Sequence, residues 1–298
     1  MKLLIAGSSG LVGTSILERL RNSQHEVSRL VRHPPAQPDE IEWDPDRGVL
    51  NAADLEGIDA VIHLGGVNIA SGRWNEKFKK RIRDSRVKST RLLAMTMSEL
   101  DRPPRSFLCA TGIGNYGDQG DELLDESSSE ADNFLASVGK EWEAACGPAS
   151  ASGIRVVNLR FGLILGTADG ALAKMLPVFR MGIGGVVGSG RQWWSWIGLK
   201  DTVSAIVFLL EHEDLNGPFN LVAPNPSTNR EFTNILGKVL RRPTLFPLPA
   251  FAARIALGPM AIETLLASTR VQPKRLLDAG FQFEHPDLES ALRHELGH

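Results

Sequence analysis

Three glycines near the start of the chain carry the first hint of chemistry. In Gly7-Ser8-Ser9-Gly10-Leu11-Val12-Gly13 the spacing is Gly-x-x-Gly-x-x-Gly. Gly7 allows a tight turn. Gly10 has no side chain to keep an anion off the backbone, and Gly13 lets a following helix pack close to the preceding strand. A helix starting here offers unpaired N–H groups and a partial positive charge to a phosphate. Gly7, Ser9, Gly10, Leu11, Val12 and Gly13 are therefore candidate contacts for a dinucleotide pyrophosphate.

The next position of chemical interest lies roughly 20 residues on. A strand ends near Arg32. An acid at such a strand end accepts a hydrogen bond from the free ribose 2′-OH of NAD, whereas a base accommodates the 2′-phosphate of NADP. Arg32, with Arg29 nearby and no acid, selects NADP(H). Leu64, Gly65 and Gly66 close a third strand, where a cofactor crosses the sheet. Arg86, in a basic helical run, and Gly162, at the end of another strand, complete the candidate cofactor set. Thr111 puts a hydroxyl at the carboxyl end of a central strand, beside the expected nicotinamide, as a substrate or proton-relay contact. His63 lies within its strand and reads as buried and satisfied rather than catalytic.

These residues need a scaffold, and the apolar spacing supplies one. Leu3, Leu4 and Ile5 form a β-prone start, and Leu11, Ile16, Leu17 and Leu20 recur at helical spacing. Further strands are expected at Glu26–Val31, Asp59–Leu64, Ser106–Ala110 and Ile154–Leu159. Helices are expected over Asn75–Leu100, its basic face mostly solvated, and over Phe134–Ala145. Residues 35–58 read as a short irregular connection and Gly120–Asn133 as a surface loop. The β–α rhythm then stops at a glycine-rich stretch, within which 182–190 reads as a linker or a ligand-lining loop. Trp193, Trp194 and Trp196 mark an ordered loop, packed rather than stacking on bases. A helix over Asp201–Glu211 and a last strand over Phe219–Val222 follow. Amphipathic helices at 229–240, 249–268 and 286–296, with a short strand around Phe281–Phe283, end the chain. The reading is an α/β fold: a Rossmann-type doubly wound parallel sheet with a smaller, mainly helical C-terminal substrate lobe. The nucleotide-binding domain takes 1–166 plus about 193–223, and the substrate lobe 167–192 plus 224–298.

Composition narrows the class. The chain has 298 residues, 42% of them hydrophobic, and a net charge of −2. That balance gives no electrostatic ground for nucleic acid or an anionic membrane. Two cysteines, Cys109 and Cys146, make no disulfide framework and fit a cytoplasmic protein. No apolar run approaches the ~20 residues of a membrane span. A small-molecule substrate is the expected partner.

With these residues in view, the chain resembles the short-chain dehydrogenase/reductase superfamily in its extended, nucleotide-sugar-epimerase-like form. Within it, the chain is similar to the branch labelled "epimerase family protein", which carries a C-terminal domain of unknown function. The resemblance runs essentially end to end. It is carried by Gly7–Gly13, Asp59–Gly66 with Arg73-Trp74, Arg81–Arg86, Trp142-Glu143, Lys174–Arg191 with Trp196-Ile197, and Lys274–Phe281. It implies NADP binding, and oxidoreductase or epimerase chemistry on a small, nucleotide-sugar-like substrate. Relatives that pair through two helices give the one ground for expecting a homodimer. Extended enzymes of the superfamily use a Ser/Thr and a Tyr-x-x-x-Lys pair, whose tyrosine moves a proton as hydride is transferred. Thr111 matches the Ser/Thr. The Phe134–Ala145 helix has no tyrosine, and the only tyrosine of the chain is Tyr116. Anchored on Glu143, the tyrosine slot falls near Leu135 and the lysine slot near Gly139, with Lys140 adjacent. The proton would then come from Tyr116, Lys140 or water, and Tyr116 reads equally well as a packing residue. Two functions follow: an atypical NADP(H)-dependent oxidoreductase or epimerase, or an NADPH-binding sensor without catalysis.

Overall fold

The computed structural model describes residues 1–21 and 23–297; His298, the expected end of the lobe, lies outside the described residues. The chain opens with β1 (Lys2–Ala6), buried from Leu3 onward. Leu3 and Ile5 join one core and Leu4 and Ala6 another. Burial on both faces is why this strand reads as an apolar run and not as an alternation. Next come α1 (Leu11–Arg21), β2 (Glu26–Val31), β3 (Glu40–Asp44), β4 (Val49–Leu50), β5 (Ala60–His63) and α2 (Glu76–Ser98). They are followed by β6 (Ser106–Gly112), β7 (Leu123–Leu124), α3 (Phe134–Ala144), α4 (Gly147–Ala151) and β8 (Arg155–Phe161). Then β9 (Leu163–Leu165), α5 (Gly170–Arg180), β10 (Trp193–Trp194), β11 (Trp196–Gly198), α6 (Leu199–Glu211) and β12 (Gly217–Leu221) complete the main body.

The main sheet runs β12-β8-β6-β5-β1-β2-β3-β4. Its pairings are parallel from β12 to β3, and β4 closes the edge antiparallel to β3. The chain leaves β1 toward β2 and β3, then returns to β5 and continues the other way. That reversal opens a crevice at the carboxyl ends of β1 and β5, where sheets of this kind take ligands. Helices α1 and α6 cover one face through Ile16, Leu20, Ile206 and Leu209. Helices α2, α3 and α4 cover the other through Leu93, Met97, Trp142 and Ala149. The starts of α2 and α3 are set by asparagines: Asn75 Oδ1 accepts from Phe78 N at 2.9 Å and Asn133 Oδ1 from Ala136 N at 2.8 Å. The doubly wound sheet is as the sequence led us to expect.

The remaining elements are β13 (Ser227–Thr228), α7 (Asn229–Leu240), α8 (Ala250–Leu257), α9 (Pro259–Glu263), β14 (Arg270–Val271), α10 (Lys274–Asp278) and α11 (Leu288–Leu296). Leu172, Leu176 and Phe179 of α5 pack with Trp194, Trp196, Phe232, Leu236 and Leu292 in a core of their own. Leu276 and Phe281, however, belong to the main-sheet core.

Five local expectations change. Residues 35–58 hold β3, β4 and a short 3₁₀ helix, not an irregular connection. The acidic 120–133 stretch contributes β7, which pairs in parallel with β14. The 249–268 helix is broken in two at Gly258, whose φ of +62° and following proline end α8. Phe281 and Phe283 form no strand; they meet edge to face at 4.8 Å, and Phe281 meets Phe208 at 5.3 Å. The 182–190 loop is neither linker nor cavity lining. It is seamed to 246–248 by backbone bonds, Leu248 N to Val186 O at 2.8 Å and Gly188 N to Leu248 O at 2.9 Å.

Candidate functional site

The crevice is a cavity of about 810 Å³, large for a small-molecule site. Gly7, at φ +83°, starts its rim, and a Cβ there would lie 2.7 Å from Gly65 N. A Cβ on Gly13 would lie 2.2 Å from Gly7 O. Both glycines are required because two backbones touch. Gly10 differs: its nearest neighbour to an added Cβ is 3.6 Å away, so its missing side chain leaves room beside the backbone. Gly10, Leu11, Val12 and Gly13 all line the cavity, which directs the first turn of α1, with N–H groups lacking intrahelical acceptors, into it. Leu64, Gly65, Gly66 and Gly162 line it too. Ser9 is exposed and is not among the lining residues.

Arg86 turns inward from α2 and lines the cavity. Its Nη1 donates to Val67 O and Ile82 O, each at 3.0 Å, and its guanidinium lies 5.0 Å from the Trp142 ring centre. Burial lowers its pKa to about 10. His63 is fully buried beneath the rim, with Nε2 2.9 Å from Ser89 Oγ and Nδ1 accepting from Gly65 N at 3.4 Å. Burial first, then the charges of Arg32 and Arg86, lower its pKa to about 3, so the ring is neutral. Arg32 is half exposed and does not reach the main cavity. It lines a second cavity of about 270 Å³, with Lys77, Lys80 and Arg81 of α2 and with two acids, Asp46, 3.7 Å from Arg32, and Asp84, which pairs with Lys80. Gly66 borders the first cavity and Val67 the second, so the two adjoin. Arg29 is not free for a ligand, because Asp39 and Glu40 hold its guanidinium at 2.6 and 3.2 Å.

The far end of the crevice is built from side chains. Thr111, at the end of β6, lines the cavity and donates to Glu143 Oε1 at 3.2 Å. Asn115 Nδ2 donates to the same oxygen at 3.2 Å. Arg160 grips Glu143 with a two-pronged fork, Nε to Oε1 at 2.7 Å and Nη2 to Oε2 at 2.8 Å. Burial opposes the Arg160 charge, but the Glu143 carboxylate outweighs it and raises the pKa. Because a carboxylate only accepts, Asn115 must present its NH₂ to Glu143 and its Oδ1 away. That Oδ1 lies over Gly139 of α3, where a Cβ would be 1.5 Å from it.

Tyr116 and Lys140 are not brought to the cavity. Tyr116 ends a 3₁₀ helix that drives its ring inward against Leu124, Val222 and Val271. Its hydroxyl donates to Asn220 Oδ1 at 2.8 Å and accepts from Arg160 Nη1 at 3.0 Å, and burial raises its pKa. Lys140 follows the cavity-lining Gly139, and one helical step of about 100° carries it to the exposed side. Sequence reasoning missed Asn115, Glu143 and Arg160 as one unit. The signal available was slight: Arg160 is a charged residue in a largely apolar strand, whereas Glu143 follows Lys140 and Glu141 and does not stand out.

The geometry therefore offers an open glycine cradle at a helix N-terminus, an adjoining basic recess, and a polar far end at Thr111 and Asn115. Known proteins bear on that arrangement. The NAD dependent epimerase/dehydratase family model matches residues 3–222, and a domain of unknown function matches residues 248–295. The chain is 43% identical over 288 residues to the epimerase family protein Mb2239 of Mycobacterium bovis, covering 97% of this chain and 95% of that one. It is similar to the crystal structure of the human epimerase family protein SDR39U1 (isoform 2) with NADPH: TM-score 0.93, 34% identity, 100% of this chain and 99% of that one. It is also similar to the crystal structure of the nucleoside-diphosphate sugar epimerase from Corynebacterium glutamicum. There the TM-score is 0.82 at 34% identity, over 100% of this chain and 58% of that one.

Proposed function

The chain belongs to the NAD dependent epimerase/dehydratase family, and from that premise we propose that it is an atypical NADPH-dependent oxidoreductase. The observation that carries the proposal is the open space at Gly10, at the mouth of α1, beside the basic recess around Arg32. The human relative crystallised with NADPH supports it. The backbone N–H groups at Gly10–Gly13 hold the pyrophosphate, and Arg32 with Arg81 holds the ribose 2′-phosphate. NADPH supplies a hydride, so that a substrate C=O becomes a C–H and an O–H bond, with the proton drawn from water and NADP⁺ left behind.

The chain's own residues position that substrate oxygen. Asn115 has a second amide hydrogen, beyond the one given to Glu143, for a carbonyl oxygen, and Thr111 has lone pairs to accept from the alcohol O–H. The slots of the superfamily's tyrosine and lysine fall near Leu135 and Gly139. Tyr116 and Lys140 stand away from the cavity, which supports water as the proton source. A second reading, an NADPH sensor without turnover, is favoured by the same two slots.

Isothermal titration with NADPH and NADH, on wild type and Arg32→Glu, tests the proposal. NADPH binds the wild type at least tenfold more tightly than NADH, and the variant loses that margin. Binding of neither nucleotide overturns both readings. NADPH binding with no oxidation of NADPH across a broad carbonyl panel leaves the sensor.

A further inference from the structure

We propose that the substrate is an uncharged molecule with an extended apolar body carrying one carbonyl, or the matching alcohol, and not a nucleotide sugar. The proposal rests on the NADPH reading of the same cavity and concerns the wall that faces the cofactor cradle. Leu135 and Val138 of α3, Trp193, Leu257, Met260 and Leu265 make up most of that wall. Among the described lining residues the cations are Arg86 and Lys174; Arg86 belongs to the cofactor side, and Lys174 is a single cation on α5 between the two sides. Arg86 is tied to two backbone carbonyls beside the β5 rim. Lys174 is one turn along α5 from Gly170, which packs near Leu11, the first residue of α1, and its Nζ donates to Ala70 O at 3.3 Å.

A nucleoside diphosphate brings two negative charges, and burying them requires cations or aimed N–H donors. The substrate wall offers the reverse. Its charged lining residue is Glu263, whose Oε2 accepts from Leu135 N at 2.9 Å. Arg270 stacks 4.2 Å from the Trp193 ring centre, is absent from the lining, and donates to Asp121 O at 3.4 Å. The polar side chains on the far side are few: Thr111 and Asn115 offer room for one oxygen, and the hydroxyls of Ser195, Thr264 and Thr269, which also line the cavity, already donate to backbone carbonyls.

The outer surface agrees. Helices α8 and α9 put Leu257 and Met260 into the cavity and leave Phe251, Ile255 and Ile262 exposed, at 67%, 71% and 51%. Apolar surface thus lies on both sides of the two short helices that roof the site.

The test is binding, measured with NADP⁺-loaded protein, which cannot reduce a ketone. NADP⁺ is titrated first by calorimetry; failure there sinks the cofactor reading itself. The loaded protein is then titrated with 2-ketones from 2-butanone to 2-decanone and, separately, with UDP-glucose. Affinity should rise about threefold to fourfold per added methylene, and UDP-glucose should not bind at millimolar concentration. Met260→Asp should weaken 2-decanone at least tenfold while NADP⁺ binding stays unchanged, which locates the chain in this wall. Ketones that fail to bind, an affinity flat with chain length, or binding of UDP-glucose to the loaded protein would each overturn the proposal and leave the cofactor reading standing.

Discussion

Gly10 and Gly139 use the same missing atom for opposite ends. At Gly10 the space beside the backbone stays open, with nothing closer than 3.6 Å to an added Cβ. At Gly139 the space is filled from within by the Asn115 amide, 1.5 Å from where a Cβ would stand. The first region is made of backbone and waits for a ligand's charge. The second is made of side chains and carries its own charges, Glu143 against Arg160, already paired. A site for an anion can be built from N–H groups alone. A site that aims one oxygen needs polar side chains held rigidly, and here a buried ion pair does the holding.

The largest blow to the far region should come from Arg160→Met. It strips Glu143 of its partner at a buried site and should lower stability by ~3–5 kcal/mol, read from urea denaturation. If the loss stays under about 1 kcal/mol, the ion pair is not what supports this end. Gly139→Ala comes next. It forces the Asn115 amide aside and should lower stability by about 1–3 kcal/mol. Asn115→Ala combined with Gly139→Ala should fall well short of the sum, because the new Cβ enters the vacated space. Additive losses would separate the two residues.

The cofactor region has its own titrating group in His63. Its pKa is about 3 in the fold against an ordinary value of 6.5. The unfolded chain therefore binds the extra proton between those values. Stability is full above pH 6.5 and falls as pH drops toward 3, by ~1.4 kcal/mol per pH unit at most. His63→Gln should flatten that slope in denaturation curves taken from pH 7 to pH 4. The smallest effect on the fold itself belongs to Gly10→Ala. Stability should shift by under ~0.5 kcal/mol while NADPH affinity drops at least tenfold, about 1.4 kcal/mol. Gly13→Ala should damage both, since its Cβ meets Gly7 O at 2.2 Å. Equal behaviour of the two variants would erase the contrast drawn between open and filled space.

That contrast also explains what could be read in advance. The cofactor region depends on local order, strand then glycine turn then helix, and the residues responsible are neighbours in the chain. Leu64–Gly66 and Arg86 were legible for the same reason, each at a strand end or on a helix with a known place in the sheet. The far region joins Thr111, Asn115, Glu143 and Arg160 across four elements, and no local pattern says that Asn115 lies over Gly139. The edge strands β3 and β4 were missed because Glu40-Ile-Glu-Trp-Asp44 is charged at alternate positions, which looks like loop until its partner is known. Strand β14 is two residues long and exists only through β7. Tyr116 was the chain's only tyrosine and so drew notice as a proton donor. Its burial against β12 and β14 rests on long-range packing that its own neighbours do not announce.

The fork of Arg160 on Glu143 has one consequence for handedness. Glu143 takes one hydrogen each from Thr111 and Asn115. What remains toward the cavity is an acceptor on one and a donor on the other, a few ångströms apart and unlike in sign. With the apolar wall as a third, different point of attachment, the two sides of a flat carbonyl group meet different surroundings. On the proposed oxidoreductase reading, the two prochiral faces of a carbonyl are therefore not equivalent here, and the expected alcohol is of a single configuration.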